Sequence, residues 1–301
     1  MGKHAIIGAN IMDRLIKCPG SLKCGNGSLD DYYKSTKGKT RSYTKNRIEC
    51  NAATTFGMKV DEYSKNLLRW KFGLPEKRKY TNSDDDLGQS DEQKLLRQCG
   101  EDYCRHMEAL RKRFGKCSLD PAYDMSRYMP SIDNVEFRVT FNPDFVAINA
   151  DGTYRGTVYV SDLTTGRSYD RNKMFQVLCC AVGIITTHKE CNACICEVYN
   201  PVTKEVMISK FYREELEAWR DEVIVPALYR VRDALSDRKE NIENHRAYNS
   251  WCDSFCIYAS EGCCACHSNK EKVENDVPIQ LNFFYNNMNE KDKEQYAALF
   301  K

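Results

Sequence analysis

The sequence predicts an α/β protein whose sheet is mixed, largely antiparallel and flanked by helices. Apolar Val135, Phe137, Val139 and Phe141 alternate with Glu136, Arg138 and Thr140, the period of two expected of a half-buried strand. Two further strand-like runs, residues 145–148 and 157–163, lie either side of the turn-prone Asn149-Ala150-Asp151-Gly152. Residues 169–184 then set Met174, Val177, Leu178 and Ala181 at helical spacing. Strand character resumes over residues 193–199 and 205–209, around the turn Pro201-Val202-Thr203-Lys204. The predicted order of this core is βββαββ.

Helices are expected on both sides of that core. Residues 48–72 have helical character, ended by Gly73 and Pro75. The polar stretch 82–90, with Asp84-Asp85-Asp86, reads as a solvated linker, a metal site there being the alternative. Ser90 and Gln93 form a capping box before a helix whose stripe is Leu96, Cys99, Tyr103, Met107, Leu110 and Phe114. His106 falls on the charged face of that helix and reads as exposed. Residues 214–235 carry Leu216, Trp219, Val223 and Ala227 on one face, with Pro226 expected to kink the helix.

Composition bounds the class. At 301 residues and 42% hydrophobic content the chain can bury a sizeable core. Its mean hydropathy is -0.64, and no apolar run approaches the ~20 residues of a membrane span. Met1-Gly2-Lys3-His4 leads into a short Ala5-Ile6-Ile7 patch that does not read as an export signal, so a cytoplasmic protein is expected. A single domain spanning residues 1–301 is expected. It comprises a helical part at 1–120, a sheet core at 131–210, a long helix at 211–245 and a cysteine cluster at 250–268.

Net charge is +2, but unevenly spread: residues 31–80 hold thirteen Lys or Arg against five Asp or Glu. Lys37, Lys39, Arg41, Lys45 and Arg47 stand near Tyr32, Tyr33 and Tyr43, so cations could meet phosphates while rings stack on bases. That reading makes DNA the expected partner. A solvated loop beside a charged helix face is the competing one.

The candidate chemistry follows from the pleat. Asp162 and Thr164, two apart, share a face of their strand, and Asp144 at the adjacent strand end can converge on the same point. Two carboxylates and the Leu163 carbonyl make a hard oxygen site suited to magnesium or manganese. Alternatively, Asp144 is a turn residue after Pro143 and Asp162 a strand-end acid facing solvent.

Cysteine is abundant, with 16 in the chain, which in a reducing compartment reads as buried thiols plus a metal site. Cys99, Cys179, Cys180, Cys191, Cys194 and Cys196 lie in core-like elements where cysteine acts as a small hydrophobe. Cys252, Cys256, Cys263, Cys264 and Cys266 place five thiols within fifteen residues, next to His267. Such density suits zinc or an iron–sulfur cluster, and composition does not choose between them.

The chain resembles the PD-(D/E)XK nuclease superfamily, in the RecB-like branch that includes CRISPR-associated adaptation exonucleases, AddB-type helicase-nucleases and phage relatives. The resemblance rests on Glu136, Pro143-Asp144, Asp162-Leu163-Thr164-Thr165-Gly166, Gln176, and the upstream run from Arg14 to Ser21. It implies a restriction-endonuclease-like architecture and a divalent-metal-dependent DNA exonuclease in DNA processing or recombination. Asp144 and Asp162 would ligate the ion, Asp61 and Glu136 assist, and Gln176 position the site.

Three positions depart from the family pattern. Thr164 stands where a lysine is usual, and a neutral hydroxyl cannot supply that charge; Lys173, Arg167 or Arg171 would have to reach in. Asp61 stands where a histidine is common, and Cys180 where a tyrosine is. The resemblance also implies that Cys18, with Cys252, Cys256 and Cys263, binds a [4Fe-4S] cluster, with Cys264 or Cys266 as possible substitutes and a zinc site as the alternative. Recombination or replication proteins would be partners. The competing functional expectations are a catalytically silent nuclease-fold DNA-binding or scaffold protein, and a metal-stapled interaction protein with no nucleic-acid role.

Overall fold

The computed structural model describes residues 7–20, 52–74, 90–129, 138–148, 156–166 and 171–236. Its chain is α/β, and it divides into two compact units. Among the described residues no helix is long and apolar enough to cross a membrane.

The first unit holds a three-stranded sheet. Strand β1 (Ile7–Gly8) runs parallel to β4 (Val139–Phe141), which pairs antiparallel with β3 (Tyr123–Asp124). Helix α1 (Ala9–Lys17) follows β1 directly and buries Met12, Leu15 and Ile16. Cys18 caps α1, its N–H donating to the Arg14 carbonyl at 2.7 Å, and is itself buried.

The strand expected over residues 135–141 is therefore corrected. Residues 130–137, Glu136 among them, lie outside the described residues, and Val139–Phe141 belongs to this small sheet and not to the main one. The long helix is corrected too. Helix α5 (Arg213–Trp219) passes into a π-helical stretch (Arg220–Ile224) and then α6 (Val225–Ser236). The wider turn comes immediately before Pro226, which has no N–H to donate to the preceding helical turn.

The second unit is a five-stranded sheet in the order β2-β5-β6-β7-β8. Its strands are β2 (Lys116–Leu119), β5 (Phe145–Ile148), β6 (Thr157–Leu163), β7 (Ala193–Asn200) and β8 (Glu205–Tyr212). All pairs are antiparallel except β6–β7, which α4 (Arg171–Thr187) connects as a parallel crossover. Every residue of β7 is buried, as expected of a central strand covered on both faces.

Helices α2 (Ala52–Phe72) and α3 (Asp91–Phe114) cover one face. Val60, Leu68, Phe72, Leu96, Tyr103, Met107 and Leu110 form one core with Phe145, Tyr159, Leu163, Ile195 and Tyr199. The capping box at Ser90 and Gln93 is present, with Gln93 N–H donating to Ser90 Oγ at 3.2 Å and Ser90 N–H to Gln93 Oε1 at 3.0 Å. Two small residues set how closely α2 approaches its neighbours. A Cβ on Gly100 would fall 2.2 Å from the Tyr63 ring, and one on Gly57 2.6 Å from Thr165 Oγ1. Only glycine lets these surfaces meet so tightly.

Candidate functional site

Strand register brings the predicted acids together. β5 pairs Phe145 with Ser161, so Asp144, one step before Phe145, stands opposite Asp162, one step after Ser161. On the other side β2 pairs Leu119 with Phe145, so Asp120 stands beside Asp144, and its N–H donates to the Asp144 carbonyl at 3.1 Å. Asp120 has φ of 47°, a left-handed conformation that aspartate tolerates better than most residues. Three acids thus line the same end of three neighbouring strands, and Asp61 reaches them from α2.

Like charges directly across a strand pair repel, and the site answers that with cations. Lys65 Nζ on α2 lies 2.7 Å from Asp144, 2.8 Å from Asp61 and 2.8 Å from Asp120, while Arg69 reaches Asp120 at 2.5 Å. Burial alone would push the Lys65 pKa down, yet Asp144, Asp61 and Asp120 together hold it above the usual lysine range. Burial likewise pushes Asp144 up. The Lys65 ammonium, the Leu163 N–H donating to Oδ2 at 2.8 Å, and a hydrogen bond with Asp162 outweigh that push and hold Asp144 below the usual range.

Asp162 behaves oppositely. Burial and the Asp144 charge raise its pKa well above the ordinary aspartate value. Asp61 is raised to about 6 by burial and by Asp144, against the pull of Lys65.

Asp162 is 2% exposed, which rules out the solvent-facing reading. Its Oδ1 accepts from Gln176 Nε2 at 3.2 Å, while its buried Oδ2 has no hydrogen-bond partner among the described residues. Lys173 Nζ stands 3.6 Å from that oxygen and 3.4 Å from Gln176 Oε1. Thr164 is tied by its N–H to the Tyr199 carbonyl at 2.9 Å. Cys180, on α4, is buried behind the pair. Arg167, Glu136, Cys252, Cys256, Cys263, Cys264 and Cys266 lie outside the described residues, as do Lys37, Lys39, Arg41, Lys45 and Arg47. The side chain of Arg171 does too.

Lys65 and Lys173 therefore stand beside the Asp144–Asp162 pair. Lys173 was a candidate from sequence. Lys65 was not, although its place four residues after Asp61 gave the signal of an acid–lysine pair on one helix face.

A second buried acid also escaped the sequence reading. Glu197 on β7 is fully buried and accepts from Tyr159 Oη at 2.5 Å and Ser161 Oγ at 2.7 Å; His106 Nε2 lies 2.7 Å away. His106 is thus not exposed. Its ring also stacks on Tyr199, with centroids 4.5 Å apart. Burial would raise the Glu197 pKa, but His106, Tyr159 and Ser161 hold it below the usual range.

Among the described residues no group of three or more His, Cys, Asp or Glu side chains is arranged to hold a metal ion. A divalent ion at the acids would rest on Asp144, Asp162, the Leu163 carbonyl and water. Magnesium is commonly held by one or two carboxylates with waters completing the shell. Asp162 Oδ2, ion-paired with Lys173 at 3.6 Å, and the all-oxygen donor set fit that pattern, and a soft-metal site would not.

Comparison with protein-family models and with curated proteins gives no match. Among solved structures, the chain is similar to a protein designated SSO0001, at 12% identity and a TM-score of 0.32, over 66% of this chain and 92% of that one.

Proposed function

We propose that the five-stranded unit is the core of a divalent-metal-dependent deoxyribonuclease of restriction-endonuclease-like architecture, hydrolysing phosphodiester bonds of linear DNA. The observation that carries this reading is the cross-strand pair Asp144–Asp162, two carboxylates brought together in a buried place beside Lys65 and Lys173. A buried like-charge pair costs stability, and such perturbed groups cluster at functional sites. A bound Mg2+ or Mn2+ would polarise a phosphate oxygen and lower the pKa of its water.

The chain's own residues have distinct tasks. Asp144 and Asp162 would both ligate the ion as carboxylates. Gln176 fixes the rotation of Asp162 by donating to Oδ1. Lys173, with its side chain 38% exposed, can leave Asp162 for an incoming phosphate and offset the negative charge that develops there. Lys65 keeps Asp144 ionised. The basic segment from Lys37 to Arg47 would hold the DNA backbone, and the Cys18, Cys252, Cys256 and Cys263 set would bind a [4Fe-4S] cluster, or zinc.

The test is degradation of linear DNA with Mg2+ or Mn2+ by wild type and by Asp162→Asn, alongside manganese binding followed by electron paramagnetic resonance. Loss of both cutting and ion binding in a folded variant supports the assignment; unchanged cutting rejects it.

One observation favours a second reading. Lys65 Nζ already sits within 2.8 Å of three carboxylates, as a built-in counter-ion. On that reading the unit is a catalytically silent DNA-binding or scaffold protein. Salt-sensitive DNA binding without degradation across several metals would select it.

A further inference from the structure

Two thiols lie at the opposite end of β6 and β7 from the acids. Parallel pairing sets Ala193 beside Thr157 at that end and Tyr199 beside Leu163 at the other. Cys191 and Cys194 are separated by Asn192 and Ala193, and their Sγ atoms are 3.7 Å apart. Two cysteines at this spacing are the arrangement of dithiol redox motifs, and here the sulfurs touch.

The surrounding backbone is fastened so that they stay in contact. Arg213 donates to the carbonyls of Cys191 at 2.6 Å, His188 at 2.6 Å and Ile185 at 3.0 Å. The N–H groups of Asn192 and Ala193 donate to the Gly156 carbonyl at 2.6 and 3.2 Å.

The two thiols are chemically unequal. Its hydrogen bond with Cys194, helped by the Arg213 charge, holds Cys191 below the usual thiol range against the push of burial. Cys194 is raised well above that range by the same hydrogen bond and by burial. Cys191 is only 1% exposed, but its neighbours Glu190 and Asn192 are exposed, so the sulfur lies one residue beneath the surface. Cys180 and Cys196, deep in the unit, are raised by burial. They are the inert packing thiols that composition suggests.

We propose that Cys191 and Cys194 form a redox-active dithiol whose oxidant is a low-molecular-weight disulfide, with Cys191 as the attacking sulfur. The Cys191 thiolate attacks one sulfur of R–S–S–R, forming Cys191–S–S–R and expelling R–S⁻, which takes up the proton Cys191 released. Cys194 then loses its proton to solvent and attacks the Cys191 sulfur. The Cys191–Cys194 bond forms, the mixed disulfide breaks, and a second R–S⁻ leaves and is protonated. Two protein thiols are oxidised while one R–S–S–R is reduced to two R–SH. The closed four-residue loop ties the start of β7 to the turn that follows α4. This chemistry is independent of whether the acids cut DNA.

The experiment uses the full chain in glutathione buffers of graded oxidised-to-reduced ratio, followed by differential alkylation and peptide mass spectrometry. The expected result is a linked Cys191–Cys194 peptide in oxidised buffer, reversed by reduced glutathione. Cys194→Ala should accumulate glutathione on Cys191, whereas Cys191→Ala should leave Cys194 unmodified. Circular dichroism establishes that each variant is folded; if neither is, mapping of the wild-type linkage decides alone. Alkylation of both thiols in oxidised buffer, first modification at Cys194, or pairing of Cys191 with a different cysteine would each overturn the proposal.

Discussion

The second unit buries carboxylates in two places and treats them in opposite ways. Glu197 is surrounded by three side chains, from Tyr159, Ser161 and His106, and its pKa is depressed despite full burial. Asp162, one residue along β6 from Ser161, the strand partner of Glu197, is pressed against another acid, has only Lys173 and Gln176 to offset it, and has its pKa raised. A buried charge that is fully paired belongs to the architecture. One left in conflict with its neighbour is waiting for a ligand, a proton or a cation. The contrast leaves Glu197 as the satisfied acid of the two and Asp162 as the strained one.

Exchanging the two acids' fates is the sharpest way to break that contrast. Asp162→Ala is expected to lower metal-dependent DNA degradation by at least ~10²-fold, the lower range for loss of a positioned catalytic group. Its unfolding free energy should fall by less than in Glu197→Ala, since Asp162 has fewer hydrogen-bond partners to lose and its contact with Asp144 is a like-charge one. Glu197→Ala strands His106 and removes the acceptor of two hydroxyls. It should cost about 3–5 kcal/mol, as for breaking a buried pair. Urea unfolding and a nuclease assay on both variants check this, and destabilisation by Asp162→Ala equal to that by Glu197→Ala would erase the distinction.

How much of this was legible depended on distance along the chain. The strands β5 and β6 announced themselves as strand-like runs either side of a turn, and their pairing followed, so Asp144 and Asp162 could be matched from sequence. Asp120 could not, because β2 is four residues long and follows a helix at once, with no periodic signal. The Glu197–His106 contact spans 91 positions, and a helical pattern sees only its own neighbours within a turn or two. Yet one sign was there: a glutamate inside the otherwise apolar run of β7 had to find partners, since unpaired buried charges are not tolerated. The strand over residues 135–141 misled because alternation reports exposure on two faces, not the sheet to which a strand belongs.

The ammonium at the centre of the acids gives the next test. Lys65→Met leaves Asp144, Asp61 and Asp120 without their common donor, although Arg69 still serves Asp120. At neutral pH a loss of about 1.5–3 kcal/mol is expected, the range for hydrogen bonds to charged groups. Acid should narrow the gap as the carboxylates protonate. A variant as stable as wild type at neutral pH would show that Lys65 is not the counter-ion of this site.

The two regions should also respond to pH with opposite sign. Glu197, lowered from 4.5, contributes stability above that value and loses it as pH falls through its folded pKa. Asp61, raised from 3.8 to about 6, binds more protons folded than unfolded between those values, so its contribution falls as pH rises from about 4 to about 6. Asp61→Asn should flatten the loss of stability between about pH 4 and pH 6 while leaving the acid limb in place. Chemical denaturation at a series of pH values distinguishes the outcomes, and an unchanged profile would mean that the acids are not coupled as described.

The smallest effect concerns how closely α2 is allowed to bring Asp61 and Lys65 to the sheet. Gly57 costs helix stability, since replacing glycine by alanine in a helix interior gains roughly 1 kcal/mol. A Cβ there meets Thr165 Oγ1 at 2.6 Å, so the gain should be largely cancelled in the wild-type chain. In a Thr165→Ala background the obstacle is gone, and Gly57→Ala should recover most of that roughly 1 kcal/mol. A double-mutant cycle by urea unfolding measures the difference. Equal effects in both backgrounds would mean that Thr165 does not set the approach of α2, and that the acidic end of the sheet owes its closeness to something else.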